Sequence, residues 1–82
     1  MGNYIGSKII ELQKDIAASL YLEPATLDEL SKRDFLSNIA DFNVDRLLSV
    51  LEYKGWLFID KQDRYHTYKK IAKKVLKEYN LF

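Results

Sequence analysis

Leu47-Leu48-Ser49-Val50-Leu51-Glu52-Tyr53-Lys54-Gly55-Trp56-Leu57 is the stretch on which the fold of this chain turns. With Val44 just ahead of it, Leu47, Leu48 and Leu51 stand at i, i+3, i+4 and i+7, the spacing that puts four apolar side chains on one face of a helix. Asn43 suits the N-cap, because its side chain can accept from an orphan amide of the first turn. Lys54-Gly55 suits the other end: glycine enters the left-handed conformation without steric cost, and the lysine complements the helix dipole. The periodicity therefore predicts a helix running from Asn43 to Lys54.

Downstream the period changes. Trp56-Leu57-Phe58-Ile59-Asp60 is aromatic and β-branched, Lys61-Gln62-Asp63-Arg64 is wholly polar, and Tyr65-His66-Thr67-Tyr68 is strand-like again. Two strands and a polar tip predict a hairpin. From Lys69 the helical period returns, with Ile71, Ala72, Val75, Leu76, Tyr79 and Phe82 on one arc and Lys69, Lys70, Lys73, Lys74 and Lys77 on the other.

Upstream, Ile5, Ile9, Leu12, Ile16 and Leu20 recur at helical spacing, and Ile10, Ala17 and Tyr21 form a second apolar row beside them. Glu23-Pro24 should end this first helix, since proline disfavours a helical residue before it and removes a donor. Thr26-Leu27-Asp28-Glu29 fits a capping box for a short second helix. Between Asp34 and Phe42 the pattern is irregular, and Phe35, Leu36, Ile39 and Phe42 are expected to plug the core.

Eighty-two residues allow one core, so residues 1–82 are read as a single domain. A hydrophobic content of 48% with 30% charged residues lies at the globular average and excludes a disordered chain. Cysteine is absent, so apolar packing or a partner must supply stability. No apolar run reaches membrane-spanning length, and Met1-Gly2-Asn3-Tyr4 lacks the order of a signal peptide, which together imply a cytoplasmic protein without a membrane partner. The net charge of +1 hides a division. Residues 1–60 carry six Lys/Arg against ten Asp/Glu, net −4, and residues 61–82 carry seven against two, net +5. A localised basic patch points to an anionic partner at that end, although lysines on the wet face of a terminal helix also serve plain solubility.

The order helix, helix, helix, hairpin, helix, with the hairpin entered at a Gly-Trp step, resembles the winged helix-turn-helix regulators of bacteria, archaea and their viruses and plasmids. That fold class is mainly α with a small β-hairpin (α+β). The resemblance covers Thr26 to Leu76. Leu47 to Leu57 looks like a leucine-rich recognition helix running into Leu-Glu-x-Lys-Gly-aromatic-Leu, and Arg64-Tyr65-His66-Thr67-Tyr68 looks like the returning wing strand. Many relatives carry Thr-x-x-Gly after that strand, whereas here Lys69-Lys70 occupies the place. The resemblance implies sequence-specific binding of double-stranded DNA and a role in transcription regulation. The same fold also serves as a protein-protein interaction module that does not bind DNA, and fold alone does not separate the two.

If the third helix enters a major groove, a 100° wheel turns Arg46, Ser49 and Tyr53 toward the bases with Val50 at the flank. Arg46 could pair bidentately with guanine, Ser49 could bond a base or phosphate, and Val50 could meet a thymine methyl. Asp45 and Glu52 on the shoulder of that face would repel phosphate. Lys61, Gln62 and Arg64 at the wing tip are candidate minor-groove or backbone contacts, joined by Asn43, Lys70 and Lys74, with Lys32 and Arg33 as further candidates. The surplus apolar row suggests a homodimer through the first and last helices, using Ile10, Ala17, Tyr21, Tyr79 and Phe82, and hence palindromic operators.

Catalytic machinery is not legible. His66 is the single histidine, without clustered ligands for a metal, and neither a Gly-rich phosphate loop nor a nucleophile motif is present. No enzyme activity, catalytic residue, small-molecule substrate or cofactor is expected. Trp56, directly after the third helix, is read as a core residue and not as a stacking platform.

Overall fold

The computed structural model describes residues 2–79, with side chains from residue 8 onward. Four helices and one hairpin follow in the order α1 (Gly2–Leu22), α2 (Leu27–Ser31), a 3-10 turn (Asp34–Leu36), α3 (Asp41–Tyr53), β1 (Leu57–Ile59), β2 (Tyr65–Thr67), α4 (Lys69–Val75) and a second 3-10 turn (Lys77–Tyr79). The chain is mostly helical with a two-stranded antiparallel hairpin, an α+β arrangement.

The main core collects Ile16 and Leu20 of α1, Leu30 of α2, Leu36 of the first 3-10 turn, Val44, Leu48 and Leu51 of α3, and Leu57 of β1. Full burial of each aliphatic side chain contributes about 2 kcal/mol, so the spacing that shapes α3 also fastens it to the other elements. The capping box on α2 forms as its sequence implies: the Glu29 amide donates to Thr26 Oγ1 at 3.2 Å and the Thr26 amide to Glu29 Oε1 at 3.0 Å.

At its start α3 departs from the sequence expectation. It begins at Asp41, with extended Ala40 as the N-cap, and Asn43 lies inside the first turn. The Ala40 carbonyl accepts from the Asn43 and Val44 amides at 2.9 and 3.1 Å, and the Asp41 charge complements the helix N-terminus. Backbone geometry therefore replaces the side-chain cap. Phe35 and Phe42 also depart: both are exposed, Phe42 at 65%, and Leu36 alone is the fully buried plug of that segment.

The C-terminus of α3 is a Schellman motif. Gly55 sits at φ +79°, its amide donates to the Glu52 carbonyl at 3.0 Å, and the Trp56 amide reaches the Leu51 carbonyl at 3.0 Å. The chain thus leaves the helix aimed into β1, which pairs with β2 in the register Leu57↔Thr67, Phe58↔His66 and Ile59↔Tyr65. An isolated bridge adds Ala25, whose carbonyl accepts from the Tyr65 amide at 2.7 Å and ties the α1–α2 linker to the hairpin. The buried Thr67 hydroxyl donates to the Ala17 carbonyl at 2.6 Å and ties the hairpin to α1.

α4 is shorter than its sequence pattern. It stops at Val75, because Leu76 leaves helical geometry at φ −105°, ψ 15°, and Tyr79 follows in the second 3-10 turn. A second core of Ala17, Ala18, Ala72 and Leu76 closes α1 against α4, with Tyr21, Trp56, Val75 and Tyr79 packed on it. The surplus apolar row of α1 is therefore largely used inside the protein. Ala17, expected at a dimer interface, is completely buried beside α4 and has no surface to offer a second copy. Tyr21 and Tyr79 pack on the same cluster, Ile10 stays 54% exposed, and Phe82 lies outside the described residues, as does the Ile5 side chain.

Candidate nucleic-acid interface

Burying Val44, Leu48 and Leu51 on one side of α3 leaves Arg46, Ser49, Val50 and Tyr53 on the exposed side, Val50 at 45% and Tyr53 at 93%. Asn43 is exposed one turn before them. All four candidate base readers are thus available to a partner. The same surface carries Asp41, Asp45 and Glu52, so α3 holds one cation against three anions. Arg46 makes no ion pair with a described residue, and its guanidinium lies 5.5 Å from the centre of the Phe42 ring.

The hairpin tip is built around Asp60. Its Oδ1 accepts from the Gln62 amide at 2.8 Å and the Arg64 amide at 3.1 Å, while its backbone amide donates to the Arg64 carbonyl at 3.0 Å. Asp63 takes the left-handed conformation at φ 61°, which aspartate enters more readily than most residues because its short side chain can bond locally. Asp60 Oδ2 meets His66 Nε2 at 2.7 Å. The histidine contact, followed by the Arg64 and Gln62 amides, holds the Asp60 carboxyl below its ordinary pKa.

Lys61 and Gln62 project from the tip as exposed side chains. Arg64 does not. Its Nη1 donates to Glu29 Oε1 at 2.9 Å, so the guanidinium turns back toward α2 and neutralises the capping-box carboxylate. The Thr26 amide first, and Arg64 with it, lower the pKa of Glu29. Arg33 is likewise engaged: it donates to the Ser19 carbonyl and hydroxyl and, at 2.7 Å, to the Glu23 carbonyl, which satisfies the C-terminus of α1. Lys32 pairs with Asp28 across one turn at 3.1 Å. Arg64 and Arg33 are thus bonded to other elements of the fold, whereas the Lys32 pair with Asp28 is an exposed contact within one turn of its own helix.

Lys61, Lys69, Lys70, Lys73, Lys74 and Lys77 are exposed, and none forms an ion pair with a described residue. Lys70 and Lys74, expected as backbone contacts, belong to this set; Lys70 Nζ lies 6.0 Å from the Tyr68 ring centre. Beside them is an aromatic row that sequence reasoning did not find. Phe58 stacks on His66 with centroids 4.9 Å apart and 8° between planes, and Tyr68 is tilted against the Phe58 ring by 48° at 4.8 Å. The alternation of Phe58 with its partner residues 66 and 68 was the available signal. Trp56 is half-buried between the two cores, with Lys54 Nζ 4.5 Å above its ring, as its position after α3 implies.

Compared with protein-family models, curated proteins and solved structures, the chain matches none. Among the described residues no cluster of His, Cys, Asp or Glu could hold a metal ion, and no helix is long and apolar enough to cross a membrane. Function must therefore be argued from the surface itself.

Proposed function

We propose that this chain is a winged helix-turn-helix domain that binds double-stranded DNA and serves as a transcriptional regulator in the cytoplasm. In this reading α3 enters the major groove, with Arg46, Ser49, Val50 and Tyr53 toward the bases, and the hairpin is the wing. The observation that supports it is the set of six exposed lysines from Lys61 to Lys77 that make no ion pair with a described residue. Unpaired cations on one short span are what a phosphate backbone recruits, because each contact releases condensed counterions. Lys61, Lys70 and Lys74 take the backbone role, and Arg64 holds the wing to α2. Pairing of two such domains on a palindromic site would rest on Ile10, Tyr21, Tyr79 and Phe82, with the fully buried Ala17 removed from that surface.

The test is fluorescence anisotropy of a mixed-sequence duplex titrated at several salt concentrations. Binding whose log affinity falls linearly with log salt, with a slope of several phosphates, is expected. Absence of binding at low salt overturns the reading.

A second reading, docking to another protein, is favoured by one specific observation. The exposed side of α3 carries Asp41, Asp45 and Glu52 around Phe42, Val50 and Tyr53, a mixture that suits a protein partner better than phosphate. Alanine at Lys70 and Lys74 would leave such docking intact and weaken DNA binding.

A further inference from the structure

Between α1 and α3 lies an open groove of about 370 Å³. Its floor is Leu12, Ile39 and Leu47, half-buried side chains that pack on the main core, and its rims are the exposed Ile9 of α1 and Val50 of α3. At one edge stand Asn43 and Arg46, and no acidic side chain lines it among the described residues. Among the described residues Arg46 is the only cation that lines it, and it has no carboxylate partner there.

We propose that this groove binds a small amphiphilic carboxylate, with its alkyl or aryl part on the apolar floor and its carboxylate on Arg46. The size agrees: the groove falls within the few hundred cubic ångströms of ordinary small-molecule sites. So does the composition, since small-molecule sites of this volume are apolar surfaces with a few polar groups that fix orientation. The electrostatics select the sign. An unpaired guanidinium at the edge of an apolar trough offers a forked pair of donors to a carboxylate, while a cationic amphiphile would meet Arg46 as a like charge. Asn43, one turn earlier on the same helix, adds a neutral partner for the second oxygen.

The binding site stands on the groove alone. Its regulatory consequence rests on the DNA reading: Arg46 and Val50 are also proposed base readers, so a ligand seated there and a DNA major groove exclude one another.

The experiment is an amide NMR titration of the whole chain with decanoate below its micelle concentration, repeated with decyltrimethylammonium and with the variants Arg46→Gln and Val50→Glu. Both substitutions are at exposed positions, so the fold is expected to persist, and the amide spectrum itself reports whether it does. Saturable shifts centred on Leu12, Ile39, Asn43, Leu47 and Val50 are expected. Arg46→Gln should weaken decanoate about tenfold, the scale of one charge-assisted hydrogen bond, and the cationic amphiphile should bind the parent chain at least that much more weakly. Equal binding by Arg46→Gln, shifts scattered over the whole surface, or decanoate and decyltrimethylammonium binding alike overturn the proposal. Shifts of the same amides on simple dilution, with a dimer in sedimentation, would give the groove to a second copy and equally overturn it. DNA affinity of the ligand-free chain, measured separately, tests the DNA reading without touching this result.

Discussion

Gly55 carries the turn from α3 into the hairpin at φ +79°, and a Cβ built there meets nothing within 4 Å. Only backbone conformation opposes a side chain at this position. Gly55→Ala should therefore lower the unfolding free energy by about 1 kcal/mol in a urea titration, and Gly55→Asn by less, since asparagine tolerates the left-handed region better. A loss well beyond that for alanine would mean the surroundings also close in. Glu29 and Asp60 make the second prediction at this scale. Both carboxyls are held below their ordinary pKa in the folded chain, Glu29 chiefly by the Thr26 amide and Asp60 chiefly by His66. The unfolded state then binds more protons than the folded state as pH drops. Their contribution is complete above the ordinary carboxylate range and is lost as pH falls through the depressed folded values, so the melting temperature should decline below about pH 5. Glu29→Gln and Asp60→Asn should each flatten that decline. The Thr26-Glu29 pair was legible because a capping box is local in sequence. The occupation of Arg64 by Glu29, 35 residues away, was not, because it exists only once β2 has docked near α2.

Among the elements, α3 was legible over most of its length because Val44, Leu48 and Leu51 need a single buried face, and that requirement survives any detail of the surroundings. Leu48→Ala should cost about 3 kcal/mol in the same denaturant assay, the usual penalty for emptying a fully buried leucine site. Its start was misread because Asn43 is a good cap in isolation, whereas the Ala40 carbonyl already begins the helix two residues before it. α4 was overextended for a related reason: a continuous apolar arc suggests one long helix, but its end is set by contacts with α1. The Tyr79 hydroxyl donates to Asp15 at 2.6 Å, and Lys14 pairs with Glu78 at 3.0 Å, both across 64 residues of sequence. The hairpin was legible as two strands around a polar tip, yet the element that orders the tip is Asp60, which looked like a strand end. Asp60→Ala removes the acceptor for the Gln62 and Arg64 amides, and their hydrogen exchange should accelerate several-fold while core amides of α3 keep their protection. Asp60→Asn retains one acceptor oxygen and should preserve most of the protection.

Across the whole molecule, charge is divided by surface as well as by sequence. The exposed side of α3 is acidic around its single arginine, and the exposed lysines that make no ion pair with a described residue stand on the hairpin tip and on α4 with the 3-10 turn after it. The positive end could be read directly from residues 61–82. What could not be read was which cations the fold would engage: two candidates, Arg33 and Arg64, are bonded to neighbouring elements, and Lys32 pairs on the surface with Asp28 of its own helix. This division separates two jobs that a uniform basic surface would blur. If DNA is the partner, affinity should come from the lysines and discrimination from α3. Lys70→Ala with Lys74→Ala should reduce the slope of log affinity against log salt by about 2 while weakening all duplexes alike. Arg46→Ala should leave most of that slope, cost about 1–3 kcal/mol on a selected site, and leave random duplex nearly unaffected. The opposite pattern, with Arg46 governing the salt slope and the lysines silent, would move the phosphate-binding surface onto α3. There one guanidinium would meet phosphate beside three carboxylates of the same helix, a balance least favourable at low salt, where screening is weakest.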